Sequence, residues 1–134
     1  MEKIYKGNKL YHCYFNASEY PSGRFDATEA EQYLQCAIIN MDDGKKFDPH
    51  VHIPCERHTD TTQESWVVLK GKIKITYYDE DKIPMGETVL TEGGCTISFW
   101  GGHKYECIED GTVVYEFKSG PYFGKDADKV VFND

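Results

Sequence analysis

Short segments in which polar and apolar residues alternate recur about nine times along this chain, separated by turns that contain Gly or Asp. Lys72–Tyr78, with the sequence KIKITYY, is the clearest of them. Successive side chains of a β-strand point to opposite faces, so such a segment can bury one face and expose the other. A helical turn is indicated where Thr28 and Glu31 have the spacing of a capping box. The pattern predicts an all-β sandwich or barrel with at most one short helix.

The length of 134 residues suits a single domain. Apolar residues make up 40% of the chain, so a sufficient core requires strands that stack into a closed or double sheet. We predict one domain over residues 1–134, with an N-terminal extension at about residues 1–32, a barrel at about 33–118 and a tail at 119–134.

The chain is acidic, with a formal net charge of −8 at pH 7. It has no basic stripe for the phosphates of a nucleic acid, and its charge disfavours adsorption to anionic membranes. The sequence contains no apolar run of membrane-spanning length and no recognisable signal peptide. Its 5 cysteines form no CxxC pair, and an odd count indicates free thiols in a reducing compartment. We therefore expect a cytoplasmic protein without nucleic-acid or membrane partners.

Histidines and one carboxylate form the main candidate site. His50 and His52 stand two residues apart in the sequence FDPHVHIP, so in a strand both imidazoles point the same way. Glu64 begins the next apolar segment, and His103 follows a Gly-Gly pair far downstream. Two or three histidines with one carboxylate suit a borderline divalent metal such as Zn, Fe, Mn or Ni.

Two segments resemble the sequence motifs of the cupin superfamily. HVH followed by a glutamate, six residues and a glycine, from Glu64 to Gly71, resembles the first cupin motif. GGCTISFWGGH, residues 93–103, resembles the second, and together with the tail the chain is similar to small single-domain bacterial cupins of uncharacterised type. The resemblance covers about residues 44–118. It implies a jelly-roll β-barrel with one divalent metal ion held by His50, His52, Glu64 and His103.

The chain departs from the cupin pattern in ways that leave one ligand position open. The eleven residues between His52 and Glu64 are more than the first motif usually has, and Phe99 stands where the second motif has proline. In a competing register, His58 with Asp60 precedes Glu64 at the more usual spacing. We favour His50 and His52 as the ligands, with His58 as the alternative that replaces one of them.

The same reasoning gives candidate catalytic residues and functions. Tyr105, on the same strand face as His103, is a candidate acid or hydrogen-bond donor, because the ordinary pKa of tyrosine is about 10. Arg57, in the loop beside the proposed ligands, is a candidate clamp for a carboxylate or phosphate. We expect a small polar or sugar-like substrate and Lewis-acid or dioxygen chemistry, as in a metal-dependent isomerase or dioxygenase. The alternatives are a non-catalytic sugar-binding barrel and a metal-free epimerase-type cupin that uses His58 and Asp60.

One face of the Glu64 strand predicts an interface. Val67 and Leu69 lie opposite the inward-facing Trp66 and Val68, so both faces of this strand are apolar and both need a cover. Another sheet or a second subunit would supply it. Because similar cupins are commonly dimers, we predict a homodimer.

Overall fold

The computed structural model describes residues 1–20 and 22–133, and within them the chain forms ten β-strands, one short α-helix and one 3-10 helix. The strands are β1 (Glu2–Lys6), β2 (Lys9–Phe15), β3 (Arg24–Asp26), β4 (Ala37–Ile39), β5 (Glu64–Lys70), β6 (Lys72–Tyr78), β7 (Pro84–Thr91), β8 (Cys95–Ser98), β9 (Gly102–Cys107) and β10 (Val113–Lys118). The helices are the 3-10 helix Ala17–Glu19 and α1 (Lys125–Asp128). The predicted all-β class is confirmed.

The strands form three antiparallel sheets. The largest has five strands in the order β1-β2-β8-β5-β10, the second has the order β7-β6-β9, and β3 pairs with β4. No strand pairing joins these sheets within the described part of the chain, so they do not close into a barrel. The predicted strand at KIKITYY is confirmed at the same bounds as β6.

Side chains from the two larger sheets pack into one core. Val68 of the five-stranded sheet is fully buried, and so are Ile75 and Tyr77 of the three-stranded sheet. Partly buried Trp66 and Tyr105 pack against this cluster. The alternation of the strands thus produces a sandwich, in which each sheet contributes the face that carries its apolar residues.

A second core covers the other face of the five-stranded sheet. Cys13, Phe15 and Ile97 are buried there, and Ile38 of β4 packs against them from the segment at residues 27–38. Val67 packs against the same cluster. The cover predicted for this face is therefore supplied in part by the chain itself, while Leu69 stays 38% exposed.

Two neighbouring connections carry the chain from one sheet to the other. Gly71, between β5 and β6, has a φ of +81° and approaches Thr112 so closely that a Cβ atom would overlap its side chain. The Thr112 hydroxyl accepts a hydrogen bond from the backbone N–H of Lys72 at 3.1 Å. Residues 109–111 have the sequence Glu-Asp-Gly, which predicts a hairpin turn between the segments on either side. That prediction is wrong, because β9 pairs with β6 and β10 pairs with β5. At this turn the chain passes from the three-stranded sheet to the five-stranded sheet.

Two further local predictions are wrong. Thr28 and Glu31 do not begin a helix, because the Thr28 hydroxyl accepts a hydrogen bond from the Cys36 N–H at 2.9 Å instead, and the α-helix lies at Lys125–Asp128. The segment at residues 41–63 contains no strand, although it carries the histidine pair. Among the described residues no helix has the length and apolar character needed to cross a membrane.

Candidate functional site

An open cleft of about 410 Å³ lies where the five-stranded and three-stranded sheets meet the C-terminal tail. Its polar lining consists mainly of charged groups: the carboxylates of Glu64, Asp79, Glu80 and Asp128, the amines of Lys82 and Lys129, and the imidazole of His103. Phe132 of the tail adds an apolar wall. Such a lining fits a small polar ligand better than an apolar one.

Glu64 and His103 contact each other within this lining. Their Oε1 and Nε2 atoms are 3.1 Å apart, although Glu64 begins β5 of one sheet and His103 lies on β9 of the other. Gly101, just before β9, has a φ of +71°, and a Cβ atom there would collide with the Tyr78 carbonyl oxygen. The absence of a side chain at this position therefore allows the backbone to approach closely, as the Gly-Gly pair predicts.

The electrostatics of the pair favour an ionised carboxylate. Burial raises the pKa of Glu64, but the hydrogen bond and the electrostatic interaction with His103 outweigh this effect. The charges of Lys129 and Lys118 act in the same direction, so the pKa of Glu64 lies below its usual range. Glu64 is 7% exposed and His103 is partly buried, so the pair is only partly screened by water.

A chain of hydrogen bonds extends from His103 into the protein interior. The Ser98 Oγ atom lies 3.2 Å from His103 Nδ1 and 3.0 Å from His12 Nδ1. His12 Nε2 lies 3.1 Å from the backbone carbonyl oxygen of Tyr78. His12 is completely buried, and burial lowers its pKa to about 4, more than the hydrogen bond to Tyr78 raises it. This imidazole is therefore neutral at pH 7.

The sequence gives no signal for this hydrogen-bond chain. His12 stands between Tyr11 and Cys13, and from the sequence it is an isolated histidine without a partner. Strand register supplies the partner, because Ser98 of β8 is paired with His12 on one side and with Glu64 on the other.

The other two predicted ligands lie elsewhere. His50 and His52 are exposed in the segment at residues 41–63, with their ring centroids 5.4 Å apart, and His50 Nδ1 lies 2.9 Å from the Asp48 carbonyl oxygen. His58, the alternative ligand, is also exposed and its Nε2 atom lies 3.1 Å from Glu56 Oε1. The structure therefore brings together Glu64 and His103 of the predicted set and leaves the HVH pair apart from them.

Another group of possible ligands lies at the edge of the cleft. Within residues 1–20 and 22–133, Asp79, Glu80 and Asp81 form the single set of three or more His, Cys, Asp or Glu ligand atoms that all lie within 4.8 Å of one another. The Lys6 amine lies 2.9 Å from Asp79, 3.2 Å from Glu80 and 3.1 Å from Asp81. This cluster already has a cation partner, and the four-ligand metal site stays a prediction.

The two candidate catalytic residues are not part of the cleft lining described above. Tyr105 stacks on Trp66 with ring centroids 3.8 Å apart, and burial raises its pKa well above the usual value. Within the described part of the chain its hydroxyl is the buried side-chain polar atom that lacks a hydrogen-bond partner. Arg57 is exposed, and its guanidinium donates to the Cys55 carbonyl oxygen at 3.3 Å. The cations that do line the cleft are Lys82 and Lys129.

The C-terminal tail is the part of the cleft that sequence analysis missed. Phe132 packs edge-on against Tyr78 with ring centroids 5.1 Å apart, and Lys118 holds Asp128 at 3.1 Å. These contacts place the tail beside Glu64 and His103. The sequence predicts a short extended piece at residues 128–132, but such a piece gives no indication of where it packs, so the sequence could not predict this wall.

Comparisons of the chain with protein-family models, with curated proteins and with solved structures found no match. The resemblance to cupins therefore rests on the two motifs.

Proposed function

We propose that this chain is a cupin-type protein that holds one divalent metal ion at Glu64 and His103 and binds a small polar or sugar-like molecule in the adjoining cleft. The observation that carries the proposal is the 3.1 Å approach of His103 Nε2 to Glu64 Oε1 at the cleft wall. Glu64 is the carboxylate of the first motif and His103 is the histidine of the second. The contact between two residues that separate motifs select supports a shared role in metal binding.

The donor atoms fit a divalent ion. Imidazole nitrogen and carboxylate oxygen bind zinc at about 2.0–2.2 Å, so two ligand atoms of a tetrahedral zinc ion lie about 3.4 Å apart. Nε2 and Oε1 are 3.1 Å apart, so a small separation of the two side chains would let both atoms bind one ion. A glutamate, with an ordinary pKa of about 4.3, is ionised at neutral pH, as a metal ligand must be.

His50 and His52 complete the ligand set in this proposal. They belong to the segment at residues 41–63, which is exposed throughout residues 41–60, and eleven residues separate His52 from Glu64. An extended chain spans about 3.3–3.6 Å per residue, so this connection reaches well over 30 Å and leaves both imidazoles free to come to the cleft. Val51 and Ile53 are 90% and 86% exposed, and closure of the segment over the cleft would bury apolar surface as well.

When bound, a divalent ion at this place supplies a Lewis acid that polarises an oxygen of the ligand or, as iron, reacts with dioxygen. The chain's own residues would select the ligand. Lys82 and Lys129 favour an anionic or hydroxyl-rich group, and the carboxylates of Asp79 and Asp128 are engaged by lysines. Isomerase or dioxygenase chemistry is consistent with this site, and Arg57 would join it if the segment closes.

The proposal includes the jelly-roll topology, a homodimer and a cytoplasmic location. Two sheets joined by neighbouring crossovers support the jelly roll. Val113, Tyr115 and Phe117 support the homodimer, because they leave an exposed apolar face on β10, the outermost strand of its sheet. All five cysteines are free thiols, which supports a reducing compartment.

A second candidate function follows from the same contact. A carboxylate hydrogen-bonded to an imidazole in a cleft can exchange a proton with a ligand, so Glu64 and His103 could form the acid/base pair of a metal-free epimerase-type barrel. A third outcome is a barrel that binds a sugar without turnover. Metal binding separates the first candidate from the second, and turnover separates an enzyme from a binding protein.

Calorimetric titration of the untagged, metal-stripped protein with zinc tests the proposal. We expect one zinc ion per chain, with strongly weakened binding in Glu64→Gln and His103→Ala and clear weakening in His50→Ala and His52→Ala. His58→Ala is the comparison variant, because His58 is the ligand of the competing register and our assignment predicts no loss of zinc affinity on its removal. Weakening by His58→Ala but not by His52→Ala would reverse the ligand assignment. Unchanged zinc affinity in His103→Ala would refute the site.

A further inference from the structure

We propose that His12 and Ser98 are positioning residues, which fix the proton of His103 on Nδ1 and direct the lone pair of its Nε2 atom towards Glu64. The inference rests on the proposed function to the extent that a metal ion uses this lone pair. It assigns a role to two buried residues: His12 lies outside both motifs, and Ser98 lies within the second motif but is not one of its proposed metal ligands.

The first step concerns the inner end of the hydrogen-bond chain. The Tyr78 carbonyl oxygen can only accept a hydrogen bond, and it lies 3.1 Å from His12 Nε2. His12 Nε2 must therefore carry a proton and donate it. The opposite tautomer would direct a nitrogen lone pair at a carbonyl oxygen, and two acceptors in contact inside a protein repel each other.

The second step concerns the charge of His12. The side chain is completely buried, and both of its ring nitrogens face neutral groups, the Tyr78 carbonyl and the Ser98 hydroxyl. A buried imidazolium without a carboxylate partner carries a large desolvation cost, so His12 is neutral. Its Nδ1 atom, 3.0 Å from Ser98 Oγ, then has no proton and accepts a hydrogen bond from Ser98.

The third step concerns Ser98. A serine hydroxyl has one proton and two lone pairs. Because its proton goes to His12, Ser98 can only accept from its other neighbour, His103 Nδ1, at 3.2 Å. His103 Nδ1 therefore carries a proton, and the direction of all three hydrogen bonds is determined from the Tyr78 carbonyl outwards.

The last step concerns His103 and Glu64. With a proton on Nδ1, the Nε2 atom of a neutral His103 has a lone pair, and it faces the Glu64 oxygen at 3.1 Å. A lone pair and a carboxylate oxygen at this distance require a shared cation, which is either a second proton on the ring, lying between the two atoms, or a metal ion beside them that both atoms bind. The hydrogen-bond chain thus prevents the neutral Nε2–H tautomer, which would satisfy Glu64 without any cation. Metal-binding histidines are commonly oriented in this way by a hydrogen bond to their other nitrogen.

Long-range ¹H–¹⁵N NMR correlation of the metal-free, histidine-labelled full chain tests the inference directly. We expect His12 as the neutral tautomer with its proton on Nε2, and His103 with a proton on Nδ1. A proton on His12 Nδ1, or a His103 without a proton on Nδ1, would overturn the inference. Assignment uses His12→Gln and His103→Gln, whose spectra each lack one set of signals.

A zinc titration provides the second readout. Loss of an orienting hydrogen bond typically weakens metal binding about 10–100-fold, so we expect a weakening of this size in Ser98→Ala. Ser98→Thr keeps the hydroxyl and should restore most of the zinc affinity. If Ser98 contributed only packing, Ser98→Thr would not bind zinc more tightly than Ser98→Ala. Equal zinc affinity in Ser98→Ala and the parent would overturn the positioning role. A parent that binds no zinc would refute the proposed metal site, while the NMR spectrum still decides the tautomers.

Discussion

Glu64 and His103 lie on strands of different sheets, and Glu64 Oε1 is 3.1 Å from His103 Nε2 at the wall of the cleft. The contact depends on two features of the fold. The β5–β8 register pairs Glu64 with Ser98, which also contacts His103, and the glycines before His103 allow β9 to pass close to Tyr78. A change at any of these supporting positions should therefore alter the pair without removing either of its members.

Gly101→Ala should destabilise the fold more than an ordinary glycine substitution. Gly101 has a φ of +71°, and a Cβ atom there would overlap the Tyr78 carbonyl oxygen. Gly111→Ala is the matched control, because its φ is +76° and a Cβ atom there meets nothing within 4 Å. The positive φ costs about 1 kcal/mol in both variants, and we expect about 1–3 kcal/mol more for Gly101→Ala from the overlap. Denaturant unfolding measures both, and equal losses would contradict the close approach.

Protonation of His12 should reduce stability as the pH falls below neutrality. Burial lowers the folded-state pKa of His12 from 6.5 to about 4, so the unfolded chain binds more protons in this range. The stabilisation is fully present above pH 6.5 and decreases towards pH 4. Because one pKa unit corresponds to about 1.4 kcal/mol, the decrease is on the order of 3 kcal/mol.

Unfolding free energies of the parent, His12→Gln and His58→Ala between pH 5 and pH 7 test this dependence. His12→Gln should show a shallower slope, whereas His58→Ala, which removes an exposed histidine, should keep the parent slope. A His12→Gln variant with the parent slope would show that the pH dependence comes from other groups.

Tyr105→Phe should leave stability unchanged or raise it by up to about 1 kcal/mol, because the substitution removes a buried hydroxyl without a hydrogen-bond partner and keeps the ring. Trp66→Ala is the contrast, since it removes the ring that stacks on Tyr105 and should cost about 3 kcal/mol. Thermal unfolding of both variants measures the difference. A loss above about 1 kcal/mol in Tyr105→Phe would mean that the hydroxyl has a partner that contributes to stability.

Tyr115→Ser should dissociate the proposed homodimer if the exposed face of β10 forms its interface. Tyr115 is 56% exposed on β10, and Tyr122→Ser is the matched control, with a tyrosine of similar exposure (59%) outside any strand. Sedimentation of the parent and both variants at micromolar concentration gives their masses. A monomeric parent would contradict the homodimer, and a Tyr115→Ser variant that remains dimeric would place the interface elsewhere.

Local sequence patterns predicted what depends on local structure. Strand alternation gave the bounds of Lys72–Tyr78, and the motif spacing selected Glu64 and His103, which the fold does bring together. The role of His12 depends on register between strands far apart in the chain, which alternation does not specify. The HVH pair has the pattern of a strand, but the segment at residues 41–63 has no neighbouring strand to complete its hydrogen bonds.

The metal content per chain of the untagged protein, purified without a chelator, tests the central claim most directly. The account predicts one divalent ion per chain in the parent and much less in Glu64→Gln, which keeps the shape of the side chain and removes its charge. A parent that contains no bound divalent metal, and that takes up none from zinc, manganese, iron or nickel, would contradict the metal site and leave Glu64 and His103 as an acid/base pair.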